Sequence, residues 1–201
     1  MDNLLIQALK EFPLIQPGDN LSSIILESCK HNKFILEDDD IIVIAQKVVS
    51  KSENRYKNLL EIKPSKQATN LALSLNRDPA FIQLILNESN EIISTDKNVI
   101  IVEHKLGFIN INAGIDRSNI PENKNLVLLL PEDPSSSSQK IYEDISSKIK
   151  KNISVIITDS MTRPYRSGVM NFALASTNIQ SLIDLKGEKD IYGNILQATE
   201  D

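Results

Sequence analysis

The 201-residue sequence predicts an α+β fold in which short strands and amphipathic helices mix without regular βαβ alternation. Apolar residues make up 41% of the chain and charged residues 24%, which is a globular composition. Runs of β-branched residues with strand length are interspersed with segments whose apolar residues recur at helical spacing. We therefore expect mixed sheets with packed helices and no P-loop, formed as one domain over residues 1–201.

Capping residues predict where the helices begin. Each of these residues can accept a hydrogen bond from an unpaired N–H of the first helical turn. A helix is expected over 21–31, a second after Ser65, and a third that Pro79 opens and that ends near Leu86. The segment 131–139 is expected to be a polar loop, and the helix that follows it carries Ile141, Ile145 and Ile149 on one face. The predicted caps are Asp19 or Asn20, Ser65, Asp78, and Ser137 or Ser138.

Apolar, β-branched runs predict the strands. They lie at 41–50, 99–104, 107–112, 126–131 and 153–160. The second and third flank Lys105 and Leu106, which suits a hairpin. The first is expected to be a buried strand that leads into Lys51.

Composition excludes several classes of function. A net charge of −5 argues against a broad surface for duplex DNA, and aromatic residues at 4% supply few stacking platforms for single strands. One cysteine, Cys29, excludes a disulfide framework and a cysteine-based zinc site. No run reaches the length of a membrane span, and the first residues lack the pattern of a signal peptide, so we expect a cytoplasmic protein.

The segment INAGIDRSN at 111–119 places a carboxylate at the end of a predicted strand. Gly114 permits a sharp turn, Asp116 lies just beyond it, and Asn119 follows in the same loop. A carboxylate at such a junction is well placed to hold a hard cation. An Asx turn that closes a hairpin is the alternative, and the spacing alone favours it.

The segment VIITDSMTRPYRSG at 155–168 combines four polar groups after an apolar strand. The strand delivers Asp159 and Ser160 to its C-terminal end, where sheet proteins commonly bind ligands. Arg163 and Arg166 follow directly. A carboxylate, a hydroxyl and two guanidiniums suit a site for a metal with phosphate, or for a carboxylate. A surface loop whose arginines pair with acids accounts for the segment equally well.

Lys51 is a third candidate, because after a buried strand it can reach a phosphate as a point charge. An ordinary solvated lysine is the commoner outcome. The nucleotide signatures GxxxxGK[ST] and GxGxxG do not occur in the sequence.

Together these segments resemble one family. FPLIQPGD, DDDIIVIAQKVVSKSE, INAGIDRSNI, LLLPEDP, VIITDSMTRPYRSGV and GEKDIYGNILQATE occur in the order and spacing of the coenzyme F420-0:L-glutamate ligase family. The resemblance spans nearly the whole chain. It implies a cytoplasmic homodimer that joins L-glutamate to the carboxylate of coenzyme F420-0, can add a second, γ-linked glutamate, and cleaves GTP to GDP and phosphate. It also implies a requirement for Mg²⁺ or Mn²⁺, with K⁺ assisting.

The resemblance also implies roles for single residues. Asp116 and Asp159 match metal-binding aspartates, and Ser160 stands where a threonine that touches the metal is usual. Gln46 and Lys47 replace small hydroxyl residues, so they are expected to contact GTP through their backbone. We expect Arg163 and Arg166 to position a substrate anion. The positions that match GTP contacts are Phe12, Pro13, Leu14, Ile15, Gln46, Lys47, Lys51 and Asn119.

Members of the family continue beyond the ATE sequence with an acidic helix, whereas this sequence stops at Asp201. Three interpretations follow. The first is an amide ligase that works through an acyl phosphate, for which phosphoryl transfer needs positioning and charge neutralisation more than a nucleophile. The second is a truncated, non-catalytic homologue that binds nucleotide or deazaflavin, and the third is a carboxylate–amine ligase for another phosphorylated acceptor.

Overall fold

The computed structural model describes residues 4–96, 99–121, 123–162, 165 and 167–197. In this part of the chain the helices are α1 (Leu21–His31), α2 (Gln46–Ser52), α3 (Lys66–Leu75), α4 (Pro79–Asn87) and α5 (Pro134–Ile149). The strands are β1 (Ile41–Ala45), β2 (Tyr56–Asn58), β3 (Ser89–Asp96), β4 (Val99–His104), β5 (Ile109–Ile111), β6 (Leu126–Leu128), β7 (Ser154–Met161) and β8 (Met170–Thr177). Helices and strands mix as expected, so the predicted α+β class is confirmed.

Three helices begin where the capping residues predict. Asn20 accepts a hydrogen bond from the Ser23 N–H, and Ser65 caps α3 through the Ala68 N–H. Asp78 caps α4, and Pro79 occupies the first helical position. Local sequence sets these starts because each side chain satisfies N–H groups that the helix itself leaves unpaired.

Helix α5 starts earlier than the sequence predicts. Its cap is Asp133, which accepts from the Ser136 N–H, and Pro134 occupies the first turn. The expected polar loop at 131–139 is therefore wrong for most of its length, because an Asp-Pro pair suits the start of a helix better than the serines do. The predicted apolar face is confirmed, with Ile141 and Ile145 buried.

The single strand expected over 41–50 is wrong in its second half. β1 ends at Ala45 and α2 begins at Gln46. The buried residues of α2 are Gln46, Val49 and Ser50, which is helical spacing. Burial of this face overrides the strand preference of the β-branched residues.

The central sheet has the order β1-β7-β8. β1 runs parallel to β7, from the pair Ile41–Ser154 to the pair Ala45–Thr158. β8 runs antiparallel to β7, and a register shift interrupts the pairing between Ile157 and Thr158. Because β1 and β7 are parallel, the start of α2 lies beside the C-terminal part of β7.

Two smaller sheets complete the described fold. β3, β4 and β5 form an antiparallel meander, which includes the predicted hairpin. β2 pairs with β6, and neither β2 nor β3 was expected from the sequence. One apolar core gathers side chains of α3, α4, β4 and β6. A second gathers those of α1, β1, α5 and β7, and α2 contacts both β6 and β7 between the two cores.

Within the described ranges, no helix has both the length and the apolar character that crossing a membrane requires. Cys29 is a buried free thiol on α1, as the sequence predicts for a core residue.

Candidate active site

Asp116 and Asp159 come to one site from different sheets. The backbone of Asp116 pairs with Leu128 through hydrogen bonds of 2.9 and 3.0 Å, which attaches it to β6. Asp159 lies in the C-terminal half of β7. The amide of Gln46 donates to Asp116 Oδ2 at 2.8 Å, and it lies close enough to the carboxylate of Asp159 to act on the pKa of that group. The two carboxylates therefore face one buried amide.

Gln46 is fixed in this orientation by Ser50. The Ser50 hydroxyl donates to Gln46 Oε1 at 2.9 Å, one helical turn away. Gln46 is 2% exposed and Ser50 is fully buried. Because Oε1 accepts this bond, the NH₂ group of Gln46 must point toward the aspartates.

Lys47 supplies a positive charge at the same site. Its Nζ lies 3.1 Å from Asp116 Oδ1 and 3.3 Å from Ser118 Oγ. About a quarter of each side chain of the ion pair is exposed. The ammonium thus neutralises the Asp116 carboxylate, and no second described cation forms an ion pair with Asp159.

Asp159 carries the electrostatic cost of this arrangement. Burial raises the pKa of its carboxyl above the usual value, and the charge of Asp116 adds to that increase. The Ser160 N–H, the Gln46 amide and the charge of Lys47 act in the opposite direction on the same pKa. Among the described residues one ammonium thus faces two carboxylates, and a bound cation would balance the remaining negative charge.

A left-handed turn presents Asp116 to the site. Asn112, Ala113 and Gly114 have φ values of 50°, 52° and 65°. A Cβ on Gly114 would lie 3.0 Å from Leu130 Cδ1. This close approach, together with the positive φ, requires glycine at position 114.

The residues that are expected to contact the nucleotide differ from one another in their environment. Lys51 lies one turn beyond Lys47 on α2, and its ammonium makes no hydrogen bond or ion pair with another described residue. Asn119 is exposed, has a left-handed backbone with φ of 56°, and adjoins Ser118. Their contacts with GTP stay predictions.

The N-terminal stretch packs mainly against the second core. Ile15 is buried and Phe12 contacts that core, whereas Leu14 is 84% exposed. Pro13 is exposed. The stretch continues to Gly18, whose N–H donates to the Ser52 carbonyl at the end of α2. It is therefore tied to the helix that carries Gln46, Lys47 and Lys51.

The remaining predicted residues follow Asp159. Ser160 is exposed and, as the next residue of a strand, directs its side chain to the opposite face from Asp159. Its metal contact stays a prediction. Arg163 and Arg166 lie outside the described residues.

Gln46 and Lys47 were expected to act through their backbone, yet their side chains hold the carboxylates. The sequence does contain a signal for this role, since Gln46 and Ser50 have the spacing of neighbours on a helix. This spacing is informative only in a helix, and the β-branched run at 41–50 predicts a strand.

The donor set fits a hard divalent ion. Mg²⁺ typically takes one or two protein carboxylates and completes its shell with water and substrate phosphates. Two convergent aspartates with incomplete neutralisation match that need. In the described part of the chain, no cluster of three or more His, Cys, Asp or Glu side chains could hold a metal without such additional ligands.

Comparison with known proteins gives one consistent result. Residues 10–201 match the protein-family model of F420-0:Gamma-glutamyl ligase. The coenzyme F420:L-glutamate ligase of Methanocaldococcus jannaschii is 40% identical over 192 residues, which cover 94% of this chain and 74% of that protein. The proteins of the same name from Methanothermobacter thermautotrophicus and Archaeoglobus fulgidus are 38% and 36% identical, each over 93% of this chain and 73% and 72% of their own length. The resemblance found in the motifs is confirmed.

Proposed function

The chain belongs to the F420-0:gamma-glutamyl ligase family, and on that premise we propose that it joins L-glutamate to coenzyme F420-0 through an amide bond. The observation that carries the proposal to particular residues is the convergence of Asp116 and Asp159 on the Gln46 amide. A site of this kind suits phosphoryl transfer, which depends on charge neutralisation and positioning.

The proposed reaction activates the acceptor carboxylate with GTP. A carboxylate oxygen attacks the γ-phosphorus, the bond to the β-phosphate oxygen breaks, and GDP leaves. The amine of glutamate then attacks the acyl carbon, inorganic phosphate departs with the C–O bonding electrons, and the amine loses a proton. The products are the amide, GDP and phosphate, and a second γ-linked glutamate is added by the same steps.

Asp116 and Asp159 would hold Mg²⁺ or Mn²⁺, which supplies charge neutralisation at the phosphoryl group when bound. Gln46 keeps the two carboxylates together, and Ser50 keeps Gln46 in the correct orientation. When no cation is bound there, the Lys47 ammonium pairs with the Asp116 carboxylate. We also propose that Ser160 touches the metal and that a potassium ion assists the reaction.

The nucleotide part of the proposal places GTP along α2. The Lys51 ammonium makes no ion pair with a described residue and can meet a phosphate. The other proposed GTP contacts are Asn119, the backbone of Gln46 and Lys47, and the stretch of Phe12, Pro13, Leu14 and Ile15. Arg163 and Arg166 are proposed to position the carboxylate or phosphate of the acceptor, or glutamate. The assembly is proposed to be a homodimer in the cytoplasm.

The test measures phosphate release and glutamylated coenzyme F420 in one reaction with GTP, L-glutamate, coenzyme F420-0 and Mn²⁺. Wild type should give both products in equal amounts, and ATP should replace GTP poorly. Asp116→Asn and Asp159→Asn should abolish both products and Mn²⁺ binding while leaving the circular dichroism spectrum unchanged. The matched control is Asp39→Asn, since Asp39 is exposed and its left-handed backbone suits asparagine.

Two outcomes would contradict parts of the proposal. Full ligation by both aspartate variants would exclude the assigned roles. Neither product from wild type, combined with retained nucleotide binding, would support the non-catalytic alternative.

A further inference from the structure

Two arginines cover one buried aromatic ring next to the candidate active site. The guanidinium carbon of Arg117 lies 4.2 Å from the centroid of the Phe81 ring, and that of Arg77 lies 5.5 Å from it. Phe81 is 4% exposed. Arg117 directly follows Asp116 in the chain, so the arginine cluster adjoins the loop that carries Asp116.

Neither guanidinium is neutralised by a described residue. Arg77 and Arg117 have no carboxylate oxygen within 4 Å in the described part of the chain, whereas Arg55 pairs with both Glu88 and Glu132. The Nε of Arg77 is buried without a hydrogen-bond partner. Its one described hydrogen bond is long, 3.4 Å to Asn112 Oδ1. Most donors of the two guanidiniums therefore have no acceptor among the described residues.

The surrounding described elements hold the two arginines in place without a carboxylate paired to either guanidinium. Asn112, which contacts Arg77, belongs to the left-handed turn that presents Asp116. Asp78, which follows Arg77 in sequence, accepts hydrogen bonds from Ala80 and Phe81 N–H as the cap of α4. Asp116, which precedes Arg117, pairs with Lys47. Cation–π attraction to Phe81 keeps both guanidiniums near the ring.

We propose that Arg77 and Arg117, stacked on Phe81, form an oxyanion subsite that binds the carboxylate or phosphate group of a substrate beside Asp116. Two like charges near one ring repel, and a bound anion would offset that repulsion. The guanidinium fork matches the planar face of a carboxylate and the oxygens of a phosphate. The inference rests on the proposed function only in that every substrate named there carries such a group.

The experiment measures binding without turnover. Dissociation constants for L-glutamate, inorganic phosphate and GTP are determined by calorimetry for wild type, Arg77→Gln, Arg117→Gln and the double variant. The double variant should bind at least one of these anions 10-fold or more weakly, and Arg117→Gln should give part of the loss. A loss for glutamate assigns the subsite to a substrate carboxylate, and a loss confined to GTP and phosphate assigns it to a phosphate group.

Controls separate this subsite from charge in general and from the proposed function. Lys57→Gln removes one positive charge from an exposed position on β2 and should leave all three constants unchanged. Mn²⁺ affinity should be retained in the double variant, which shows that the aspartate pair is intact. Arg117 is exposed, so Arg117→Gln should fold even if changes at Arg77 do not. Unchanged binding of all three anions in the double variant would overturn the subsite. If the double variant loses anion binding but wild type does not ligate glutamate, only the proposed reaction is overturned.

Discussion

A hydrogen bond of 2.8 Å from Gln46 Nε2 to Asp116 Oδ2 joins two residues that are 70 positions apart in the chain. The same amide faces the carboxylate of Asp159, and the Ser50 hydroxyl fixes its orientation from the other side. One buried glutamine at the start of α2 therefore connects β7 with the loop that carries Asp116. Removing it should affect stability and metal binding together.

The first prediction concerns Gln46→Met, which keeps the side-chain volume and removes the donor. The variant should lose about 1–3 kcal/mol of unfolding free energy at neutral pH, because the partly buried Asp116 carboxylate and the buried Ser50 hydroxyl each lose a hydrogen bond. Adding Mn²⁺ should reduce this loss, since a cation replaces the missing donor. Urea denaturation with and without Mn²⁺ measures both effects.

Gln139→Met is the matched control for that substitution. Gln139 also donates to a carboxylate, that of Glu143, but the pair is exposed on α5. We expect a change within about 0.5 kcal/mol there, as for surface substitutions generally. Equal losses in the two variants would show that the burial of Gln46 is unimportant.

The second prediction is that Lys47 competes with a divalent cation for Asp116. Its ammonium lies 3.1 Å from Asp116 Oδ1, so a metal must displace it or share the carboxylate. Lys47→Met should therefore strengthen Mn²⁺ binding in the absence of nucleotide, by about fivefold for an ion pair worth roughly 1 kcal/mol. Calorimetric titration of the two proteins gives the ratio directly.

Lys51→Met provides a crossed comparison on the same helix. Lys51 has no contact with the described carboxylates, so Mn²⁺ affinity should not change. Its loss should instead weaken GTP binding by about 1.5–3 kcal/mol, the range for a hydrogen bond to a charged group. Weaker Mn²⁺ binding in Lys47→Met would refute the competition.

The third prediction concerns His104, which is 3% exposed on β4. Burial lowers its pKa to about 4, and the positive charges of Lys105 and Arg55 add to the effect. Its Nδ1 accepts the Leu106 N–H at 3.0 Å, so a proton there would break that bond. Stacking on Phe108 at 5.2 Å further confines the neutral ring.

The direction in which stability changes with pH follows from the number of protons that the folded and unfolded states bind. A histidine in the unfolded chain binds a proton below pH 6.5, whereas His104 in the folded chain does so only near pH 4. The unfolded state therefore binds more protons in this window, and stability falls as the pH falls from about 6.5 to 4. The full contribution is on the order of 3 kcal/mol, at about 1.4 kcal/mol for each pKa unit.

Urea denaturation at pH 7.5 and pH 5.0 tests this contribution. His104→Gln keeps an acceptor for the Leu106 N–H and cannot titrate, so its stability should fall less between the two pH values than that of wild type. His31→Gln removes the exposed histidine at the end of α1 and serves as the control. An unchanged pH difference in His104→Gln would exclude His104 as its source.

The starts of α1, α3 and α4 could be predicted from the sequence because capping is local. Asn20, Ser65 and Asp78 each satisfy an N–H within three residues, so nearby sequence suffices. The end of β1 could not be predicted in the same way. Val48 and Val49 favour a strand locally, and only packing against distant residues makes α2 a helix.

The candidate site shows the same division between local and distant information. Asp116 and Asp159 were singled out because each follows or ends an apolar strand within a recognisable motif. Their link through Gln46 depends on a parallel pairing of β1 with β7 across more than 100 positions, which no local pattern specifies. The role of the Gln46 and Lys47 side chains therefore became visible only in the folded chain.

The last prediction separates backbone strain from crowding in the turn before Asp116. Gly114 and Gly107 both have positive φ, at 65° and 85°. A Cβ at position 114 would lie 3.0 and 3.2 Å from two carbons of the buried Leu130, whereas a Cβ at position 107 meets nothing within 4 Å. Alanine at either position costs about 1–2 kcal/mol for the left-handed backbone.

Gly114→Ala should therefore lower the unfolding free energy more than Gly107→Ala, by a further 1–3 kcal/mol or so for overpacking against Leu130. It should also weaken Mn²⁺ binding, because relief of the clash moves the turn that positions Asp116, while Gly107→Ala in the hairpin should leave that affinity unchanged. Urea denaturation and Mn²⁺ titration of the two variants decide the matter. Equal destabilisation would leave backbone strain as the whole effect, and unchanged Mn²⁺ affinity in Gly114→Ala would show that the turn does not set the position of Asp116.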